Sequence, residues 1–134
     1  MASVRKEVSI AARPEHVWAA VRDVGNIHVR LVPGFVIDCR MEGDIRIVTF
    51  ANGMVVREPI VDIDDDQRRV AWGAVGGQFE HYNASLQVFA EGPDRTRLIW
   101  IADLLPNALT ANVQALIEQG IAVMQQTLER GASR

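Results

Sequence analysis

The sequence predicts an α+β fold: a seven-stranded, curved antiparallel sheet wrapped around one long C-terminal helix, with two short helices after the first strand. Three observations predict it. Residues 107–130 form the one run long enough and apolar enough on one side to make a core-spanning helix. Upstream of it, short apolar stretches with rough alternation recur between turn signals, the pattern of an antiparallel meander. A lone amphipathic helix cannot bury its stripe, so the sheet must receive it.

Taken in order, residues 3–11 alternate charged and apolar side chains and read as a first strand on an edge. Pro14 then suits a helix start, and Val17, Trp18, Val21 and Val24 keep helical spacing up to a stop near Gly25. A second short helical turn is expected over 26–31, broken by Pro33 and Gly34. Six further strands are expected at 35–41, 45–50, 54–63, 68–75, 81–90 and 95–103. The turns between them are Glu42-Gly43-Asp44, Ala51-Asn52-Gly53, residues 64–67, the Gly76-Gly77 break and residues 91–94. In the last helix Leu109, Val113, Leu116, Ile117, Ile121, Met124 and Leu128 make the buried stripe. Pro106 and Asn107 are its start signal and Gly131 its stop.

A chain of 134 residues fits a single domain, 1–134, with a sizeable core. Its hydrophobic content of 49% against 23% charged is that of a soluble globular protein, and a net charge of -3 with scattered basic residues argues against a nucleic-acid partner. Residues 1–10 lack the apolar centre of a signal peptide and no stretch reaches the length of a membrane span, so the expected location is cytoplasmic. The single cysteine, Cys39, cannot form an intrachain disulfide and reads as a small buried apolar residue. Three histidines without ligand spacing predict no metal site. No phosphate-binding or dinucleotide fingerprint is present, and no cofactor is expected.

If each strand turns its more apolar parity inward, Phe35, Ile37, Cys39 and Met41 point in, as do Met54, Val56, Glu58 and Ile60. The later strands contribute Val70, Trp72 and Ala74, then Tyr82 and Leu86, then Leu98 and Trp100. Where sheet and helix diverge, this lining encloses a gap suited to a small hydrophobic or aromatic molecule. Glu58 stands out as a carboxylate among apolar neighbours, which would raise its pKa and suit it to acid–base work or to holding a polar ligand atom. Its alternative is a strand kinked by Pro59 that turns it toward Arg57 or solvent. Tyr82 is either a ligand-orienting phenol or a core tyrosine; with Glu58 it completes the catalytic candidates. Trp72 and Trp100 are walls against which an aromatic ligand or the core itself can stack. Gly120 costs about 1 kcal/mol relative to alanine inside a helix, so something must pass close to it, either a ligand or Trp100. Ile37 and Val56 complete the expected lining. The Ala51-Asn52-Gly53 turn and residues 76–79 are expected beside one cavity mouth, where their glycines let them act as a gate.

Four segments carry a family resemblance: AARPEHVWAAVRD ending at Asp23, GMVVREPIVDI over 53–63, YNASLQV over 82–88 and TRLIWIADLLP over 96–106. On these the chain resembles the START-like, helix-grip superfamily, also called SRPBCC, and within it the bacterial polyketide cyclase/dehydrase-like proteins. Residues 57–77 also resemble the plant abscisic-acid receptors, whose ligand-pairing lysine is replaced by Ile37 here. The resemblance implies a cavity between sheet and terminal helix that serves a carrier, a sensor or a lipid-transport protein. It equally implies a polyketide cyclase or aromatase acting on a polyketide-like substrate, a homodimer being left open. No paired carboxylates or nucleophile–base set is present, so binding is favoured over catalysis.

Overall fold

The computed structural model describes residues 1–132. Strand β1 (Ala2–Ile10) is followed by helix α1 (Pro14–Arg22), a 3₁₀ turn (Val24–Asn26) and the single-turn helix α2 (Ile27–Arg30). Then come β2 (Val36–Glu42), β3 (Ile45–Phe50), β4 (Val55–Asp64), β5 (Arg69–Gly73), β6 (His81–Ala90) and β7 (Thr96–Leu105). A 3₁₀ turn (Asn107–Leu109) leads into α3 (Thr110–Ala132). All seven strands form one antiparallel sheet in the order β1-β7-β6-β5-β4-β3-β2. The two short helices therefore carry the chain from one edge of the sheet to the other.

Local chemistry explains the turns. Between β4 and β5 the Asp64 carboxylate accepts from the backbone N–H groups of Asp66 and Gln67, both at 3.0 Å, and Arg68 takes a φ of 51°. Between β3 and β4 the Asn52 side chain accepts from Met54 N–H at 3.0 Å, and Gly53 supplies a φ of 89° that a side chain would resist. Register irregularities between Val36 and Asp38 and between Ile60 and Asp62 bend the sheet, because a bulge bends its strand and increases the twist.

The interior face follows the expected parity along β5, β6 and β7, where Val70, Trp72, Ala84, Leu86, Leu98 and Trp100 are all buried. Against them lies the α3 stripe of Val113, Ile117, Ile121, Met124 and Leu128. Each such side chain contributes about 1.5–3 kcal/mol by leaving water.

Several expectations need correction at the ends of elements. The last helix does not stop at Gly131 but continues to Ala132. Asn107 caps nothing with its side chain; it sits in the preceding 3₁₀ turn, and its carbonyl accepts from the Thr110 hydroxyl at 2.7 Å. On β2 the expected parity fails. The bulge lets Val36 and Cys39 face inward, while Ile37 is turned out and is 57% exposed. Met41 is likewise exposed, although its side chain packs under Gly25. Met54, just before β4, and Val55 at its start are both exposed at the rim, and Glu58 is buried.

Candidate functional site

A cavity of about 420 Å³ opens between the concave face of the sheet and α3, mostly its N-terminal half. Its apolar wall comes from β3 to β7 through Val48, Val56, Val70, Trp72, Leu86 and Trp100, and from α3 through Val113 and Leu116. Phe35, Ile27 and Leu31 close one side, because α2 and the segment after it cover the β2 edge. The turns on either side of Gly53 and Gly76 border the same opening through Phe50, Met54 and Val55 on one side and Val75, Gly77 and Phe79 on the other. Val75 N–H donates to the Arg57 carbonyl at 2.9 Å, which ties the start of the second loop to β4.

One charged pair stands in this apolar wall. Arg46 and Glu58 face each other across the β3–β4 hairpin, and both are buried, at 4% and 9% exposure. Arg46 Nε donates to Glu58 Oε1 at 2.9 Å, and Nη2 lies 2.8 Å from the same oxygen. The Trp72 ring lies under the guanidinium, 5.2 Å from centroid to Cζ. Arg46 Nη1 donates to the Val24 carbonyl at 3.4 Å, as does the Cys39 thiol at 3.6 Å, so the pair also anchors the 3₁₀ turn after α1. Burial pushes the Glu58 carboxyl above the ordinary glutamate range, and the charge and hydrogen bonds of Arg46 oppose that rise. Two guanidinium N–H groups converge on one carboxylate oxygen at 2.8 and 2.9 Å, which is the geometry of an arginine–carboxylate ion pair. Burial likewise pushes the Cys39 thiol up, which leaves it a poor nucleophile.

Tyr82 lines the cavity from β6, its ring 4.8 Å from that of Phe79. Burial first, and the Glu58 carboxylate second, push its phenol up, with Arg46 opposing, so it stays protonated within electrostatic reach of the pair. Among the described residues none hydrogen-bonds its hydroxyl.

Of the residues expected at the site, Glu58, Tyr82, Trp72, Trp100 and Val56 all line the cavity, and two do not. Ile37 is lost to the β2 bulge. Gly120 is buried behind the wall: a Cβ there would stand 2.8 Å from the Trp100 ring and 3.4 Å from Phe35. The close neighbour of this glycine is therefore Trp100, whose indole stacks obliquely on Trp72 with centroids 6.1 Å apart. The Pro59 kink does not turn Glu58 outward, since Pro59 sits in regular pairing opposite Ile45. Arg46 escaped the sequence reading, because a charged residue flanked by Ile45 and Ile47 looks like the solvent side of its strand. His16 and His81 are exposed, and His28 lies half-buried in α2 away from the lining.

A family model described as polyketide cyclase / dehydrase and lipid transport matches residues 1–134. The chain belongs to this family. Solved structures with the same START-like, helix-grip fold include a protein from Thermobifida fusca, 23% identical over 100% of this chain and 95% of that one, with a TM-score of 0.81. A START superfamily protein from Mycobacterium smegmatis is 16% identical over 98% and 97% of the two chains, TM-score 0.75. Norcoclaurine synthase from Thalictrum flavum is 20% identical over 96% of this chain and 84% of that one, TM-score 0.74. At such identities the likeness is one of fold. No curated protein matches the chain. Among the described residues no helix is long and apolar enough to cross a membrane.

Proposed function

We propose that this member of the polyketide cyclase / dehydrase and lipid transport family binds a small hydrophobic or aromatic molecule in the cavity under α3, as a carrier or sensor. The observation that carries the reading is the cavity itself, about 420 Å³ of apolar wall interrupted at one end by Arg46, Glu58 and Tyr82. A greasy enclosure with few convergent polar groups is the usual build of a small-molecule site. Trp72 and Trp100 supply flat surfaces on which a ring can stack. Native mass spectrometry of freshly purified protein tests it: an added mass that is lost on denaturation is the expected result. Val56→Trp, which fills the lining, should remove that mass while the circular dichroism spectrum stays unchanged. An added mass that survives the filling variant would count against this cavity.

A second reading, catalysis of the polyketide cyclase type, is favoured by one feature, the protonated Tyr82 phenol that no described residue engages. Such a group can donate to a substrate carbonyl, and the cavity would restrict the substrate's conformation. Glu58 is less suited to proton transfer than the sequence suggests, because Arg46 already occupies its carboxylate. Tyr82→Phe should then lower turnover of a polyketide-like substrate by about 10²-fold with affinity retained. Equal turnover would dismiss the phenol as a catalytic group.

A further inference from the structure

We infer that the cavity selects an uncharged ligand bearing a terminal hydroxyl, and that the pairing of Arg46 with Glu58 is what excludes carboxylates. The inference rests on the ligand-binding reading of the same cavity and specifies the chemistry of what it holds.

A lone arginine in an apolar wall would recruit a ligand anion, since its fork of donors matches a carboxylate. Here three of its five N–H donors are already engaged. Nε and Nη2 are both spent on Glu58 Oε1, at 2.9 and 2.8 Å, and Nη1 turns away to the Val24 carbonyl. The Trp72 ring covers one face of the guanidinium at 5.2 Å. With one positive and one negative charge, the polar end of the cavity is neutral, and the surrounding wall is apolar. A ligand carboxylate brought there would lie beside a second carboxylate with little water to screen the repulsion. A ligand ammonium would face Arg46 in the same way.

What that end still offers suits a hydroxyl. Neither Arg46 contact goes to Glu58 Oε2, and a carboxylate has about four lone-pair sites, so acceptor capacity remains. Tyr82 carries a hydroxyl that no described residue engages, able to donate or to accept. A ligand hydroxyl can donate to Glu58 and accept from Tyr82. A carboxylate can only accept.

The test uses three probes of one ring system, naphthalene, 2-naphthol and 2-naphthoate, titrated calorimetrically at neutral pH into the wild-type protein and Glu58→Gln. Wild type should bind 2-naphthol at least about tenfold tighter than 2-naphthoate. In Glu58→Gln the guanidinium charge is no longer balanced, and the ratio should move at least about tenfold toward 2-naphthoate, a shift of about 1.4 kcal/mol. Equal or reversed preference in the wild type, or an unchanged ratio in the variant, overturns the inference. If naphthalene binds but the preference is missing, the hydroxyl inference falls and the ligand-binding reading stands. If none of the three binds up to its solubility, both fall. Should Glu58→Gln not fold, the double variant Arg46→Met/Glu58→Leu takes its place. It should bind naphthalene at least as tightly as wild type while the advantage of 2-naphthol over naphthalene shrinks about tenfold, and an undiminished advantage overturns the proposal.

Discussion

The two ends of α3 carry the same apolar spacing and meet the same sheet, yet one is packed shut and the other borders a cavity. Toward its C-terminus, Ile121 and Leu128 are buried, Gln125 donates to the Ser9 carbonyl at 3.0 Å, and the Glu129 carboxylate accepts from Ala11 N–H at 2.9 Å. The helix is thus laced to the end of β1. Toward its N-terminus, Leu109, Asn112 and Leu116 face open space and the loops around Gly53 and Gly76. At Gly120, midway along the helix, the Trp100 ring comes up against the bare helix backbone. The lesson is that amphipathic periodicity specifies which side of a helix is dry, not whether protein or ligand fills the space beside it.

The largest effect should come from the cavity side. Arg46→Met removes one member of a buried ion pair and should cost about 3–5 kcal/mol at neutral pH, measured by urea denaturation. With its partner gone, the already raised pKa of Glu58 rises further. Between the unfolded and folded pKa values the folded state holds the extra proton, so the deficit should shrink as pH falls below neutral. A pH-independent deficit would mean that Glu58 had escaped to solvent. This differs from what an isolated carboxylate would give. Glu58→Gln would then leave stability similar or improved, whereas the pairing predicts a loss, since Arg46 is left without its counter-charge.

Truncations along α3 sharpen the contrast. Ile117→Ala and Leu128→Ala, at fully buried positions, should each cost about 2–5 kcal/mol. Leu116→Ala should cost only about 1 kcal/mol, as its side chain already faces the cavity and leaves less well-packed space behind. Equal losses at positions 116 and 128 would erase the distinction between the ends. Gly120→Ala comes next. Helix propensity alone predicts a gain of about 1 kcal/mol, but the clash with Trp100 should turn it into a net loss of about 1–3 kcal/mol. A net gain would show that Trp100 can swing aside into the cavity. The smallest effect concerns dynamics: amides in 51–53 and 76–79 should exchange faster than those of β6 and β7, and a bound ligand should slow them. Uniform strong protection would argue against a moving mouth.

Part of the site was legible in more detail than the sequence reading extracted. If Ala51, Asn52 and Gly53 form a tight turn, Phe50 pairs with Met54, and stepping back along the two strands sets Arg46 opposite Glu58. Residues directly opposite share a face, so an inward Glu58 implies an inward Arg46. The apolar parity of β3, with Ile45 and Ile47 on the other face, concealed this, because the outer face of that hairpin is also partly covered and Ile47 is buried. Ile37 was legible only as far as strand parity holds, and a bulge resets parity without leaving a distinctive residue in the sequence.

By itself the sequence determined the order of the elements, the turns, the buried stripe of the last helix and the greasy inner faces of β5, β6 and β7. These rest on period and turn chemistry, which act over neighbouring residues. Only the tertiary structure decided that Glu58 is paired, that Trp100 rather than a ligand stands against Gly120, and that α3 borders a cavity toward its N-terminal end while its C-terminal end is packed shut. Those outcomes depend on contacts between strands and helix far apart in the chain, and on how the bent sheet diverges from a straight helix, which no local pattern encodes.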